Sequence, residues 1–244
     1  MLRELARSIL HHGMSDEKLT VLARDYSHRA ALAQRARLLQ RFEITTVLDI
    51  GANEGQFALE FREHVKYRGK IISFEPVSDA FAKLQARAAA DPLWKCRQEA
   101  ISDVSGKDFI NVSANSFSSS LLEASEASLA IEPSIGVAKR EEIIVHRLDD
   151  IFDEVCPPGE KVYLKIDTQG LELKILQGAA KVLERISILQ IEVSFYPVYV
   201  GEMLAHDMLA YLYGFGFKVI TIEPAWEDPK TGELLQADVI LIRR

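Results

Sequence analysis

The chain has 244 residues, 48% of them hydrophobic and 27% charged, the balance of a soluble globular protein long enough for one large α/β domain. A net charge of −7 with no block of lysine and arginine argues against a nucleic-acid partner, because nothing offers phosphates a basic footprint. Two cysteines, Cys96 and Cys156, without metal-ligand spacing point to a reduced cytoplasmic protein, and no apolar run approaches the ~20 residues that span a bilayer.

Residues 1–12 carry Leu2, Leu5, Ile9 and Leu10 at amphipathic spacing, a pattern that favours a packing helix over a membrane-surface one. The Ala/Leu/Arg-rich stretch 16–42 predicts a long helix. Residues 1–43 therefore read as a helical extension capping a domain that runs from 44 to 244. Strands are predicted near 46–50, 70–74 and 94–97, separated by helical patterns near 54–64 and 77–90. Segments 107–112 and 142–147 read as extended and bracket a serine-rich loop, 113–135. Then come a buried strand at 162–166, a helix over 171–183, a strand at 188–193 and a helix near 205–213. Strands at 218–222 and 238–242 close the chain, with the turn-rich Asp228-Pro229-Lys230-Thr231-Gly232 between them. The alternation predicts a doubly wound, mostly parallel α/β sheet with an antiparallel C-terminal edge strand.

The most informative stretch is Val47-Leu48-Asp49-Ile50-Gly51-Ala52-Asn53-Glu54-Gly55, a buried strand that breaks into a glycine turn before a helix. Glycine there lets the backbone approach a ligand, and Glu75, closing the next strand, can hold a ribose diol. The dinucleotide fingerprint needs glycine where Asn53 stands. Asp49 and Glu54 would repel a pyrophosphate, whereas Asp49 suits the cationic methionine end of S-adenosylmethionine. A nucleotide-cofactor protein of another kind, either an NAD-type oxidoreductase or a non-catalytic scaffold, is the alternative reading.

Ligands of such sheets bind at the carboxyl ends of the strands. The residues predicted there are 49–55, Glu75-Pro76, Ala100-Ile101-Ser102-Asp103, Asp167-Thr168-Gln169-Gly170 and Glu192-Val193-Ser194. A rim this acidic calls for something positive. Lys165, inside an apolar strand, either pairs with a rim carboxylate or snorkels. His146 is the imidazole placed nearest the rim, and His206 stands beside Asp207. His11, His12, His28 and His64 fall in helices read as remote from it. Tyr196, Tyr199 and Trp226 are candidates for stacking on a sugar ring.

The motif around Asp49–Gly55, with Phe74-Glu75-Pro76, Leu164-Lys165-Ile166-Asp167-Thr168-Gln169-Gly170-Leu171-Glu172 and Gln177-Gly178-Ala179, resembles the FkbM family of S-adenosylmethionine-dependent methyltransferases. Ala100-Ile101-Ser102-Asp103, Ser118-Ser119-Ser120 and Glu192-Val193-Ser194-Phe195 add to the likeness, which covers about 44–244. Gln169 stands where the family often has glutamate. The resemblance implies a class I methyltransferase fold and O-methylation of a hydroxyl, often on a sugar of a glycolipid, polysaccharide or natural product. It implies that Asp49, Gly51, Asn53 and Gly55 shape the methionine pocket, that Glu75 takes the ribose, and that Ala100, Ile101 and Ser102 lie near the adenine. The expected acceptor is a small molecule or glycan, and a homo-oligomer is compatible with the sequence.

A neutral sugar hydroxyl is a poor nucleophile, so a base or a metal must activate it. Asp167 and Glu192, on adjacent predicted rim positions, are the acid pair for this. They act either by taking the proton or by binding a hard cation such as Mg²⁺. His146 is the next catalytic candidate.

Overall fold

The structure is a computed structural model that describes residues 15–115 and 118–243. The pattern read at 1–12 lies outside the described residues. The described residues open with helix α1 (Asp16–Arg41), followed by β1 (Thr46–Ile50), α2 (Gln56–Glu63), β2 (Lys70–Phe74), α3 (Ser78–Ala88) and β3 (Trp94–Arg97). Then come β4 (Ala100–Ser102), β5 (Gly106–Ser113), α4 (Glu126–Ile131), β6 (Val137–Arg147), α5 (Leu148–Val155) and β7 (Val162–Ile166). The remainder is α6 (Glu172–Gly178), β8 (Ile186–Ser194), α7 (Ala205–Gly214), β9 (Phe217–Glu227) and β10 (Leu234–Arg243).

Seven strands form the main sheet in the order β3-β2-β1-β7-β8-β10-β9. Pairing is parallel from β3 through β8. The antiparallel departure is confined to the C-terminal side, where β10 inserts between β8 and the outermost strand β9. The strands of such a doubly covered sheet are buried on both sides, which explains the near-continuous apolar runs of β1, β7 and β8. Alternate residues serve opposite layers. Leu48, Ile50, Leu164 and Ile166 pack with α5, α6 and α7, whereas Val47, Ile71, Tyr163 and Ile188 pack with α1, α2 and α3.

Strands β4, β6 and β5 form a separate three-stranded sheet, with β4 parallel and β5 antiparallel to β6. Ala100–Ser102 is thus a strand of its own rather than a loop at the rim. It sits against α6 because Gly178 has no side chain: a Cβ there would lie 1.9 Å from the Ser102 carbonyl oxygen. The predicted helix over 171–183 stops at Gly178 and resumes only as a 3₁₀ turn at Leu183–Arg185. The serine-rich loop contains α4 and a 3₁₀ turn at Pro133–Ile135, with Ser125 capping α4 by accepting from the Ser128 backbone N–H.

Candidate functional site

The turn after β1 is set by Gly51, whose φ of 76° is a left-handed value. A Cβ on Gly51 would meet the Asp167 carbonyl oxygen at 1.8 Å, so only glycine lets the β1 and β7 ends close on each other. Asn53 follows with a φ of 48°, and Gln169 in the loop after β7 has a φ of 60°. Non-glycine residues in this region are uncommon and cluster at functional sites. Both line one cavity of about 540 Å³ at the carboxyl ends of the strands, within the range of small-molecule sites.

The two ends of that cavity differ. At one end Glu75 is buried, and its two carboxylate oxygens accept from the backbone N–H groups of Asn53 at 2.8 Å and Val77 at 2.9 Å. Burial pushes its pKa up to about 7, against the partial relief of those two hydrogen bonds. The side-chain oxygen of Asn53 is buried with no hydrogen-bond partner among the described residues. Ala100 and Ile101 form the adjoining apolar wall.

The other end is a polar network on β7, β8 and β10. The Lys165 ammonium donates to the Gly51 carbonyl at 2.9 Å and lies 3.4 Å from Asp49 Oδ1 and 3.3 Å from Asp167 Oδ2. Burial opposes its charge, but Asp167, Asp49 and Asp238 outweigh burial and hold its pKa above the ordinary value. Asp49 is fully buried behind the turn. Its Oδ2 accepts from Ser73, which in turn accepts from the Trp94 indole, and its pKa is raised by burial, with Lys165 working the other way. Gln169 Nε2 donates to Asp167 Oδ1 at 2.8 Å and to Glu192 Oε2 at 3.0 Å, while Gln169 Oε1 accepts from the Tyr199 hydroxyl at 2.9 Å. Gln236 donates a second amide hydrogen to Glu192 Oε2 at 3.0 Å. Burial, then the nearby Asp167 and Asp238 carboxylates, raise the Glu192 pKa well above the usual carboxylate range.

Of the residues singled out in the sequence, Gly51, Asn53, Glu75, Ala100, Ile101, Asp167 and Glu192 come together on this cavity. Asp49 stands behind it, and Gly55 packs against Leu84 and Trp94 instead. Ser102 donates to Asp103. His146 lies in β6 of the small sheet, 3.9 Å from Glu99, and does not line the cavity. Exposed His206 pairs with Asp207 at 3.3 Å. Tyr199 is buried and serves the Gln169 network rather than an open face, while Tyr196 is exposed away from the cavity lining.

Two readings are corrected here. His28, set aside as remote, lines the cavity from α1 and lies 3.4 Å from Glu60; a helical pattern fixes a residue's face but not where a 26-residue helix docks. The expected Mg²⁺ on Asp167 and Glu192 does not fit the donors present. The Gln169 amide and the Lys165 ammonium, both hydrogen donors, face the oxygens a hard cation would need. Among the described residues no group of three His, Cys, Asp or Glu side chains is placed to hold a metal ion.

The fold belongs to the class I, S-adenosylmethionine-dependent methyltransferases. Similar solved structures include an rRNA methylase from Streptococcus thermophilus, with 11% identity and a TM-score of 0.47 over 86% of this chain and 94% of that one. Another is fibrillarin from Aeropyrum pernix with natively bound S-adenosylmethionine, with 8% identity and a TM-score of 0.46 over 81% and 66%. A third is the 23S rRNA methyltransferase ErmE, with 12% identity and a TM-score of 0.42 over 86% and 66%. No curated protein matches the chain. The methyltransferase FkbM domain model matches residues 49–219, and the chain belongs to that family.

These findings also correct the exclusion of a nucleic-acid partner, since methylases of rRNA are among the similar structures. A net charge of −7 sums over the whole surface and does not decide what one local face can bind. Among the described residues no helix is long and apolar enough to cross a membrane.

Proposed function

We propose that this methyltransferase transfers the methyl group of S-adenosylmethionine to a hydroxyl of a sugar in a glycolipid, polysaccharide or natural product. The observation that carries the reading is the Asp167–Gln169–Glu192 cluster on the wall of the same cavity that Glu75 and the Gly51 turn shape. The cofactor supplies an electrophilic methyl on a sulfonium. The residues fit it: Gly51 permits close approach, Glu75 keeps lone pairs for a ribose diol, and the unpartnered Asn53 oxygen awaits a donor. The acidic wall around Asp49 and Asp167, where Lys165 is the paired cation, suits a cationic methionine end.

On this reading Asp167 takes the proton of the acceptor hydroxyl. Its side chain is 36% exposed, open enough to meet an acceptor, and Lys165 and Gln169 fix its direction. Glu192, deeper and held by two amides, positions Gln169, which in turn holds Asp167. Free Cys96 and Cys156 fit a cytoplasmic protein.

The experiment is methyl transfer from labelled S-adenosylmethionine to a panel of sugars, glycolipids, polysaccharide fragments and rRNA. Alkali-stable methyl ether on a glycan supports the reading. Label found only on a nitrogen or carbon of rRNA bases overturns it.

A further inference from the structure

The cavity continues past Glu192 to a corner built by residues outside the family-matched segment 49–219: Arg35 on α1, Glu223 and Pro224 on β9, and Asp238 on β10. Asp238 stands opposite Glu192 on one side and Glu223 on the other, so the three carboxylates form a row across β8, β10 and β9. Arg35 is only 5% exposed and donates through Nη2 to Glu223 Oε2 at 2.9 Å.

That ion pair leaves each partner with an unused polar atom. Arg35 Nε and Glu223 Oε1 are buried with no hydrogen-bond partner among the described residues. A buried donor and a buried acceptor both left unmade are costly, and a strap whose only task was to hold α1 to β9 would be expected to use both in a bidentate fork. Here one N–H and one oxygen remain for something else. Gln190 already donates to Asp238 Oδ1 at 3.2 Å and accepts from the Tyr163 hydroxyl at 2.6 Å, so the floor of this corner is fixed before any ligand arrives.

We infer that Arg35, Glu223 and Asp238 form the acceptor subsite, which takes an uncharged polyhydroxylated ring. A hydroxyl is the group that satisfies both orphans together, accepting from Arg35 Nε and donating to Glu223 Oε1. Glu60, Glu223 and Asp238 surround the one guanidinium, and this excess of carboxylate disfavours an acidic ring, such as a uronic acid, at this corner. Specificity would thus be set by α1 and the β9–β10 pair, while the matched segment holds the cofactor. This inference rests on the proposed O-methylation and names its substrate class.

The test is saturation-transfer NMR with the full chain saturated with S-adenosylhomocysteine, using methyl glucoside and methyl glucuronide as probes. Wild type should bind the neutral glycoside and not the uronate. Arg35→Gln and Glu223→Gln should each weaken glycoside binding about tenfold or more. Their affinity for S-adenosylhomocysteine and their circular dichroism should stay unchanged. Glycoside binding that persists in both variants, a preference for the glucuronide, or no glycoside binding to cofactor-saturated wild type would each overturn the subsite. Failure of S-adenosylhomocysteine to bind wild type would instead remove the underlying cofactor assignment.

Discussion

The side-chain amide of Gln169 lies 3.0 Å from Glu192 Oε2, and the same nitrogen reaches Asp167 Oδ1 at 2.8 Å. One neutral donor therefore bridges the two carboxylates proposed to activate the acceptor, and Tyr199 fixes which end of the amide faces them. This bridge, together with Lys165 3.3 Å from Asp167 Oδ2, accounts for a rim that holds two acids without calling for a metal ion.

Replacing the bridge should change that. Gln169→Glu places a third carboxylate between Asp167 and Glu192 and removes the donor. Thermal-shift measurements should show stabilisation of Gln169→Glu by Mn²⁺ but none of wild type, and EDTA should leave wild-type turnover intact. Loss of wild-type turnover in EDTA, restored by Mg²⁺, would bring the metal back.

Cofactor affinity should depend on pH through Glu75. Its pKa in the free protein is raised to about 7 by burial, so the protonated form favours the fold. That contribution is full below the unfolded value of about 4.3 and lost as pH rises to about 7. A ribose diol donating to the carboxylate binds the ionised form. S-adenosylhomocysteine affinity should therefore rise up to about tenfold per pH unit below about 7 and level off above it. Calorimetry across this range on wild type and Glu75→Gln checks it, with the variant weaker by about 1.5–3 kcal/mol at high pH and its profile flat.

Gly51→Ala should be among the most damaging small substitutions. The new Cβ would overlap the Asp167 carbonyl oxygen at 1.8 Å in a backbone with φ 76°. Urea unfolding should show a loss of about 2–4 kcal/mol, together with weaker cofactor binding, because the β1 and β7 ends must separate.

Lys165→Met should destabilise by about 3–5 kcal/mol at neutral pH, the range for leaving a buried carboxylate without its partner. Asp49, fully buried with Lys165 as its cation, is the group stranded. Protonating Asp49 relieves the defect, so the gap to wild type should narrow as the unfolding titration is moved to lower pH.

Much of this architecture is legible in residue order. Buried runs at 46–50 and 162–166 and the glycine at 51 announce parallel strands and a tight turn after the first, and each stands where the pattern puts it. Helix α5 is not among the predicted elements, although Leu148, Ile151, Phe152 and Val155 stand at helical spacing and are all buried. Strand β4 has only three residues, and its partner β6 is distant in sequence, so no local pattern marks it. The corner formed by Arg35, Glu223 and Asp238 depends on where α1 docks and on the insertion of β10 beside β8, both tertiary outcomes. Gln169 looked like a gap in an acidic motif, and its bridging role follows only from the left-handed loop that aims it.

The most direct test of the central claim is single-turnover methyl transfer to a glycan acceptor by wild type and Asp167→Asn, each first shown to bind S-adenosylhomocysteine equally. The account predicts an alkali-stable methyl ether from wild type and a rate lower by about 10²–10⁴-fold in Asp167→Asn, the range for losing a general base. Transfer by Asp167→Asn at the wild-type rate would contradict it.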